Sequence, residues 1–234
     1  MIEVQNLLRF FKKKKINYFS GVPDSVLKEL INILPKNRNI ITANEGGAVA
    51  IAIGFYLSTK KLPLVYMQNS GLSNAINPLI SIAHQKVYSI PLVLMIGWRG
   101  SPGTKDEPQH ILKGKITKDI LKLLGIKFCI VDSEKDLKKL SLLIKYSLKY
   151  KTPVAFLIKN KKLFNKNKKP KISIIKNKKI SRSFVIDELL KKINKNSRIV
   201  STVGFTSREL FQIRKEKKVE PGERRGSIEN CFII

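Results

Sequence analysis

Acidic residues, cysteine and long apolar runs are all scarce in this sequence. Asp and Glu together number 17 against 46 Lys and Arg, and only 2 cysteines occur. Cys129 and Cys231 show neither metal-ligand nor redox spacing, which argues against a zinc site or a disulfide scaffold, and we expect Cys129 to be a small core residue. No apolar run is long enough to span a membrane, and residues 1–5 do not resemble a signal peptide. We therefore expect a cytoplasmic protein without a membrane partner.

The excess of basic residues gives a formal net charge of +29, which raises the hypothesis of nucleic-acid binding. Lysine, however, is spread over nearly every predicted helix and linker together with abundant Asn and Ile, a combination typical of AT-rich coding sequence. No helix-turn-helix, zinc or aromatic-basic stacking motif accompanies the charge. We therefore expect no nucleic-acid partner, and the charge favours a small anionic ligand.

Apolar runs of buried-strand length alternate with helical periodicity along most of the chain. Strands are predicted at 17–21, 39–42, 62–67, 91–96, 127–131 and 153–158, and helices at 2–14, 24–34 and 133–150. This alternation predicts an α/β fold, a doubly wound parallel sheet covered by helices on both faces. Such sheets bind ligands beyond the carboxyl ends of their strands, here at the loops 21–25, 44–46, 68–74 and 97–110.

Composition divides the chain into four parts. Residues 1–160 are predicted to form the first domain, and residues 161–181 an exposed lysine-rich linker. Residues 182–218 contain a predicted helix, strand and helix that open a second α/β domain. Residues 219–234 contain no lysine. This change of composition indicates either a natural tail or a shifted reading frame, and we favour the second.

One carboxylate stands between a β-branched strand and a helix of small residues. The strand at 39–42 leads into Glu45, and glycine or alanine occupies positions 46, 47, 48, 50, 52 and 54. A helix with so little bulk on one face admits a second backbone or a flat ring. Glu45 is therefore either a ligand-binding carboxylate or a residue simply favoured by the helix dipole.

Six segments at the predicted strand ends form an ordered series. They are Gly21-Val22-Pro23-Asp24-Ser25, Ala43-Asn44-Glu45-Gly46, and residues 65–72, 74–79, 96–100 and 105–110. Together they resemble the pyrimidine-binding domain of thiamine-diphosphate-dependent decarboxylases, with the phosphonopyruvate and sulfopyruvate decarboxylases as the nearest members. The resemblance covers residues 1–160 and resumes at 200–210, which looks like the entry to the family's diphosphate-binding domain.

This resemblance implies roles around the cofactor. Glu45 is implied to hydrogen-bond the pyrimidine ring and so to activate the cofactor, which makes it both a catalytic and a cofactor-binding residue. The segment beside that ring is implied to bind the cofactor, and Gly71 would permit close backbone approach. Its members are Gln68, Asn69, Ser70, Gly71 and Leu72. Asn74 and Asn77 are interpreted as helix caps.

Four further residues are candidates for contact with the substrate. Asp24 and Ser25 are implied to border it, although both also fit ordinary helix caps after a proline turn. Arg99 is a planar, permanently charged donor suited to a phosphonate or sulfonate, and the alternative is a solvated loop arginine. His110, in a loop rich in Gly, Pro, Asp and Glu, is the candidate catalytic proton shuttle, with a surface position as the alternative.

The implied activity is non-oxidative decarboxylation of 3-phosphonopyruvate to phosphonoacetaldehyde and CO₂ with thiamine diphosphate, a step of phosphonate biosynthesis. The alternatives are an alpha-type subunit of a sulfopyruvate decarboxylase and a non-catalytic remnant. Family members anchor Mg²⁺ through a Gly-Asp-Gly motif and a downstream Asn, which these 234 residues lack. We therefore predict no metal ligand in this chain and no activity of the chain alone. A homo-oligomer, or a separate diphosphate-binding subunit, is the expected partner.

Overall fold

The computed structural model describes residues 1–167, 180–194, 197, 199–201, 205–216 and 231–233. The chain divides into two compact units, residues 1–169 and residues 170–234, and each unit is described by itself. Across the described ranges, no helix has both the length and the apolar character needed to cross a bilayer.

The first unit alternates strands and helices, as predicted. Its strands are β1 (Ile2–Glu3), β2 (Phe19–Gly21), β3 (Asn39–Ile41), β4 (Leu64–Gln68), β5 (Val93–Trp98), β6 (Lys127–Ile130), β7 (Val154–Lys159) and β8 (Leu163–Phe164). Its helices are α1 (Val4–Lys13), α2 (Lys28–Ile31), α3 (Glu45–Thr59), α4 (Leu72–Pro78), α5 (Pro108–Leu123) and α6 (Leu137–Tyr150). A π-helical turn, Leu79–Ala83, continues α4, and a 3₁₀ turn, Glu134–Asp136, precedes α6.

Six strands form one parallel sheet in the order β3-β2-β4-β5-β7-β6. The chain runs from β2 outward to β3 and then returns to the other side of β2 with β4, so the strand order reverses at β2. Ligand crevices of doubly wound sheets lie at such reversals, beyond the carboxyl ends of the strands. The predicted α/β fold is confirmed, and the loops after β2, β3, β4 and β5 lie at this end of the sheet.

Successive residues of β4 contribute to opposite halves of the core. Leu64 and Tyr66 belong to an apolar cluster with α1, α2 and α6, whereas Val65 and Met67 belong to a cluster with α3, α4 and α5. All four side chains are fully buried. The strand is apolar on both faces because helices cover both faces of the sheet.

Pairing between distant segments corrects two predictions at the ends of the first unit. Residues 2–3, predicted as the start of the first helix, form β1 and pair in parallel with β8, in the register Ile2 to Leu163 and Glu3 to Phe164. Strand β8 lies within residues 161–181, which the composition placed in the linker. A two-residue strand is too short to show periodicity, so the sequence around β1 and β8 does not predict either strand. Residues 168–179 lie outside the described residues.

The helix predicted over residues 24–34 is also shorter than expected. A turn occupies residues 25–27, and α2 covers only Lys28–Ile31. Asn32 and the β-branched Ile33 are weak helix formers, and the residue before Pro35 is restricted to extended backbone, so the helix ends early.

Cys129 differs from its predicted place in the core. It lies in β6, the edge strand of the sheet, and is half-buried. Burial raises the pKa of its thiol to about 11, so the group stays protonated at neutral pH and is a poor nucleophile.

The second unit contains α7 (Arg182–Lys192), β9 (Ile199–Ser201), α8 (Phe205–Glu216) and β10 (Cys231–Ile233). Strands β9 and β10 pair in parallel, and Arg182 donates to the carboxylate of Glu209 across the two helices at 2.6 and 2.9 Å. The helix–strand–helix order predicted here is present. Most of the tail at 219–234 lies outside the described residues.

Candidate functional site

Glu45 is the first residue of α3 and is 9% exposed. The helix is capped by its neighbour, because the Asn44 side chain accepts a hydrogen bond from the backbone N–H of Gly47 at 2.8 Å. The Glu45 carboxylate is therefore not needed as a cap. It points instead toward the segment that follows β4.

Two glycines and one amide bring that segment against the carboxylate. Asn74 Nδ2 donates to Glu45 Oε2 at 2.9 Å. A Cβ added at Gly71 would lie 2.0 Å from Glu45 Oε1, and one at Gly46 would lie 2.8 Å from the Asn74 carbonyl oxygen. Oε1 accepts no hydrogen bond from the described residues. A nearly buried carboxylate with one oxygen fixed and one oxygen still an acceptor can accept from an N–H donor, and a protonated ring nitrogen of the pyrimidine that the resemblance implies would be such a donor.

The interpretation of Asn74 and Asn77 as helix caps is wrong. Asn74 lies inside α4 and binds Glu45, and Asn77 Oδ1 accepts from Ser81 Oγ at 2.8 Å along the helix surface. Sequence alone does not separate these roles, because an Asn near the start of a helix suits a cap as well as a tertiary contact.

Asp24 follows β2 and is 6% exposed. Its Oδ2 accepts from the backbone N–H groups of Val26 at 3.0 Å and Leu27 at 3.1 Å, as in the predicted cap. Its Oδ1 is buried and has no hydrogen-bond partner among the described residues. Burial raises the pKa of Asp24 above its usual value, against the opposing effects of those N–H groups and of nearby Arg99. A Cβ at Gly97, the facing residue of β5, would lie 2.0 Å from Oδ2.

Arg99 follows β5 and is held in a bidentate pair with Asp106. Nε lies 2.8 Å from one carboxylate oxygen of Asp106, and Nη2 lies 2.5 Å from the other, while Nη1 donates to Ser25 Oγ at 3.3 Å. This hydrogen-bonded pair raises the pKa of Arg99 and holds the pKa of Asp106 well below its usual range. Arg99 is therefore an oriented side chain rather than the solvated alternative.

Residues 68–72, the segment predicted to bind the cofactor, have different roles in the structure. Asn69 is 5% exposed; its Oδ1 accepts from the Arg99 N–H at 3.1 Å, and its Nδ2 donates at 3.0 Å to both the Arg99 carbonyl and Thr117 Oγ1. It thus ties the loop after β4 to the loop after β5 and to α5. Leu72 is fully buried in the core, and Gln68 donates to Ser70 Oγ at 2.7 Å. Gly71 is the member of the segment that the structure brings against Glu45.

His110 lies in the first turn of α5 and not in a loop, because the helix begins at Pro108, a residue favoured at that position. It is half-buried, and its Nδ1 is buried without a hydrogen-bond partner among the described residues. Burial, with a further contribution from Arg99, lowers the pKa of His110. The start of α5 packs closely on Gly100, where φ is +63° and a Cβ would lie 1.9 Å from the His110 carbonyl.

The polar residues thus form two groups joined by Asn69. One group is Glu45 with Gly71 and Asn74, and the other is Arg99 with Asp106, Ser25, Asp24 and His110. Sequence reasoning missed Asp106 and Gly97 as site residues. Asp106 lay inside the quoted segment 105–110, but its partner is seven residues earlier across an irregular turn, and such a pair has no characteristic spacing.

Within the described ranges, no three or more His, Cys, Asp or Glu side chains are grouped so that they could hold a metal ion.

The family described as "Thiamine pyrophosphate enzyme, N-terminal TPP binding domain" matches residues 4–123, a range that includes every site residue predicted from Asp24 to His110. The chain belongs to the thiamine pyrophosphate enzyme family. The likeness extends to individual members of that family.

Among relatives, a phosphonopyruvate decarboxylase of Streptomyces viridochromogenes is 32% identical over 231 residues, covering 91% of this chain and 57% of the relative. The sulfopyruvate decarboxylase subunit alpha of Methanocaldococcus jannaschii is 32% identical over 149 residues, covering 62% of this chain and 83% of the relative. A thiamine diphosphate-dependent 4-hydroxybenzoylformate decarboxylase of Rhodococcus jostii has a similar fold, with a TM-score of 0.56 at 16% identity over 86% of this chain and 39% of that chain. The chain thus spans little more than half of the Streptomyces relative.

Proposed function

We propose that this chain provides the pyrimidine-binding part of a thiamine-diphosphate-dependent decarboxylase acting on a 2-keto acid with an anionic tail. The proposed reaction converts 3-phosphonopyruvate to phosphonoacetaldehyde and CO₂. The observation that carries the proposal is the Glu45 carboxylate, which is nearly buried, is fixed at Oε2 by Asn74 and keeps Oε1 as an acceptor beside Gly71.

Thiamine diphosphate, when bound, supplies the carbon nucleophile and the electron sink that release of CO₂ requires. In the proposal, Glu45 Oε1 accepts a hydrogen bond from the protonated pyrimidine ring nitrogen, and this bond promotes the chemistry. Asp24, Ser25 and Arg99 border the substrate. His110, whose lowered pKa favours the neutral imidazole at neutral pH, accepts or returns a proton at Nδ1.

The diphosphate and its Mg²⁺ are proposed to be held outside the residues described here, and we expect turnover only when a diphosphate-binding domain is present. Residues 182–218 are proposed to form the beginning of that domain. A separate subunit is a second source, and the name of the Methanocaldococcus relative describes it as one subunit.

Substitution of Glu45 by glutamine tests the proposal. The protein is mixed with thiamine diphosphate, Mg²⁺ and the carboxyl-terminal part of the Streptomyces relative, and phosphonoacetaldehyde is followed by ³¹P NMR. Loss of the acidic group is expected to lower turnover about 100-fold or more. Glu29→Gln in α2, which packs against the other face of the sheet, is the matched control. Turnover by Glu45→Gln near that of the control would contradict the assignment.

A sulfopyruvate decarboxylase alpha-type subunit is the second candidate, because the chain covers 83% of such a relative. Assaying the same mixture with 3-sulfopyruvate and with 3-phosphonopyruvate distinguishes the two candidate functions, because the preferred substrate gives the higher kcat/KM. Absence of turnover with both substrates, in a mixture shown to bind thiamine diphosphate, would favour the non-catalytic remnant.

A homo-oligomer is proposed to form through the outer side of α3. Ala50 and Gly54 are exposed there, Leu57 is 51% exposed, and Ile80 beyond α4 is 42% exposed. Residues 50–57 of α3 carry no charged side chain and include small residues at the surface. Such a surface permits close approach of a second backbone. This surface, defined by Ala50, Gly54, Leu57 and Ile80, is named the α3 face.

A further inference from the structure

Only some of the N–H donors of the Arg99 guanidinium form hydrogen bonds with the described residues. An arginine side chain has five N–H bonds. Asp106 receives the one on Nε and one on Nη2, and Ser25 Oγ receives one on Nη1. Among the described residues, the remaining N–H bonds, one on each terminal nitrogen, have no partner. Two N–H donors on one planar cation can bind oxygens of a tetrahedral oxyanion.

Asp106 is itself held rigidly and therefore fixes the direction of Arg99. Its side chain is 5% exposed. Its Oδ2 accepts from the backbone N–H of Gly100 at 2.8 Å, and its Oδ1 accepts from the backbone N–H of Glu107 at 2.9 Å. The carboxylate is thus anchored by the backbone on both sides of the loop, and the Arg99 fork is anchored by the carboxylate. The Arg99 side chain is left 19% exposed.

Other polar atoms near Arg99 also lack a partner. Asp24 Oδ1 is buried and accepts no hydrogen bond from the described residues, and the same holds for His110 Nδ1. The charge of Arg99 acts on the titration of both groups, so both lie within its electrostatic reach. Buried polar atoms normally have partners. Two such atoms around one half-used cation indicate a ligand-binding position rather than a solvated loop.

We propose that the two unpartnered N–H bonds of Arg99, together with the Ser25 hydroxyl, bind the tetrahedral oxyanion tail of the substrate, and that Asp106 is the positioning residue that aims them. The inference deepens the proposed function and rests on it for the identity of the substrate. Asp106 does not contact the tail and acts through Arg99. The oxyanion is a sulfonate or a phosphonate, which share this shape and differ in charge.

Substitution of Asp106 distinguishes a positioning role from general electrostatic attraction, because the two predict opposite changes in the affinity for an anion. Asp106→Ala raises the net positive charge, so charge alone predicts tighter binding of an anion by this basic chain. Loss of positioning predicts weaker binding, because the Arg99 fork is then free to rotate. Lys105→Ala, which removes an exposed cation from the same loop, is the matched control for general attraction.

The probes are 3-sulfopropanoate and 3-phosphonopropanoate, titrated into the full 234-residue chain without cofactor and followed by NMR at the side-chain N–H resonances of arginine. The Arg99 resonance is assigned by its loss in Arg99→Lys. We expect it to shift in the unsubstituted protein, and we expect Asp106→Ala to weaken binding about tenfold while Lys105→Ala changes it less than about twofold. The probe with the lower Kd identifies the preferred tail.

Unchanged or tighter binding by Asp106→Ala, or an Arg99 resonance that does not shift with either probe, would overturn the inference. If Asp106→Ala fails to fold, as judged by the fluorescence of buried Trp98, the isosteric Asp106→Asn is measured with the same expected sign. The titrations contain no thiamine diphosphate, so they succeed or fail independently of decarboxylation. A Glu45→Gln variant that turns over normally would contradict the role proposed for Glu45 and leave this oxyanion site standing, whereas absence of turnover with both keto acids would contradict the proposed function.

Discussion

Gly71→Ala perturbs the Glu45 site through one steric contact. Gly71 has φ −81° and ψ −8°, which alanine adopts without strain, so the change alters packing and not backbone preference. The new Cβ would lie 2.0 Å from Oε1 and 2.2 Å from Cδ of Glu45, whereas ordinary contact begins at 3.4 Å. Either Glu45 or the turn therefore has to move by about 1.4 Å, the difference between 3.4 and 2.0 Å.

The cost of that movement follows from two contributions. Overpacking of a well-filled site costs about 1–3 kcal/mol. A carboxylate that swings away also gives up its hydrogen bond from Asn74, and bonds to charged groups contribute about 1.5–3 kcal/mol. We expect the free energy of unfolding to fall by about 3 kcal/mol, near the lower end of the two contributions together, or roughly 6–12 °C in midpoint for a chain of this size. Gly47→Ala is the control, because its Cβ would lie at an ordinary 3.5 Å from its nearest neighbour.

A double-mutant cycle with Glu45→Ala isolates the contact. Unfolding in urea is followed by the fluorescence of Trp98, which is the single tryptophan and lies in the first unit. Once the Glu45 carboxylate is removed, Gly71→Ala should cost less than about 0.5 kcal/mol, since the atoms it strikes are gone. An equal cost of Gly71→Ala in both backgrounds would show that Gly71 is required for some reason other than the approach of Glu45.

Three further predictions concern the α3 face and two titrating groups. A side chain at Gly54 meets nothing within 4 Å, so Gly54→Glu should leave the fold intact and lower the molecular mass seen by sedimentation; an unchanged mass would argue against the α3 face as an interface. Burial raises the folded pKa of Asp24 above the usual 3.8 of an aspartate, so its contribution to stability is full below pH 3.8 and lost as pH rises through the folded pKa. Asp24→Asn should therefore gain stability relative to the unsubstituted protein as pH rises above about 4 in urea titrations, and an opposite slope would contradict this. The hydrogen bond from Lys139, with a second from Ser133, lowers the pKa of Asp136 to about 2, so Asp136→Asn should cost about 1 kcal/mol at neutral pH, an effect that fades in the same titrations as pH falls from 3.8 toward 2.

The sheet was predictable because its strands are buried on both faces. Segments such as β4, β5 and β7 are continuous apolar runs, and the helices between them supply the alternation that fixes a parallel sheet. Strands β1 and β8 were not predictable, because each has two residues and is defined only by its partner at the other end of the unit. Helix α2 was overestimated because the prediction gave too little weight to the weak helix formers Asn32 and Ile33 and to the restriction before Pro35.

The site was predictable as a set of loops and only partly as a set of contacts. The sequence indicated that something approaches Gly71, and the structure identifies it as the carboxylate of Glu45. For Asn69 the sequence indicated a polar residue near the cofactor, and the structure uses both ends of its amide to join two loops. The Arg99–Asp106 pair depends on how an irregular turn folds, and such a pair cannot be predicted from sequence periodicity.

Both acidic residues at the ends of β2 and β3 are built in the same way. Each is nearly buried, faces a glycine from a neighbouring segment, and has one oxygen fixed by donors, Asn74 for Glu45 and two backbone N–H groups for Asp24. The second oxygen of each accepts no hydrogen bond from the described residues. A buried carboxylate with an unfilled acceptor lowers stability. Two such carboxylates at the carboxyl end of one sheet, the end at which doubly wound folds bind ligands, support the proposal that Glu45 and Asp24 both face a bound ligand.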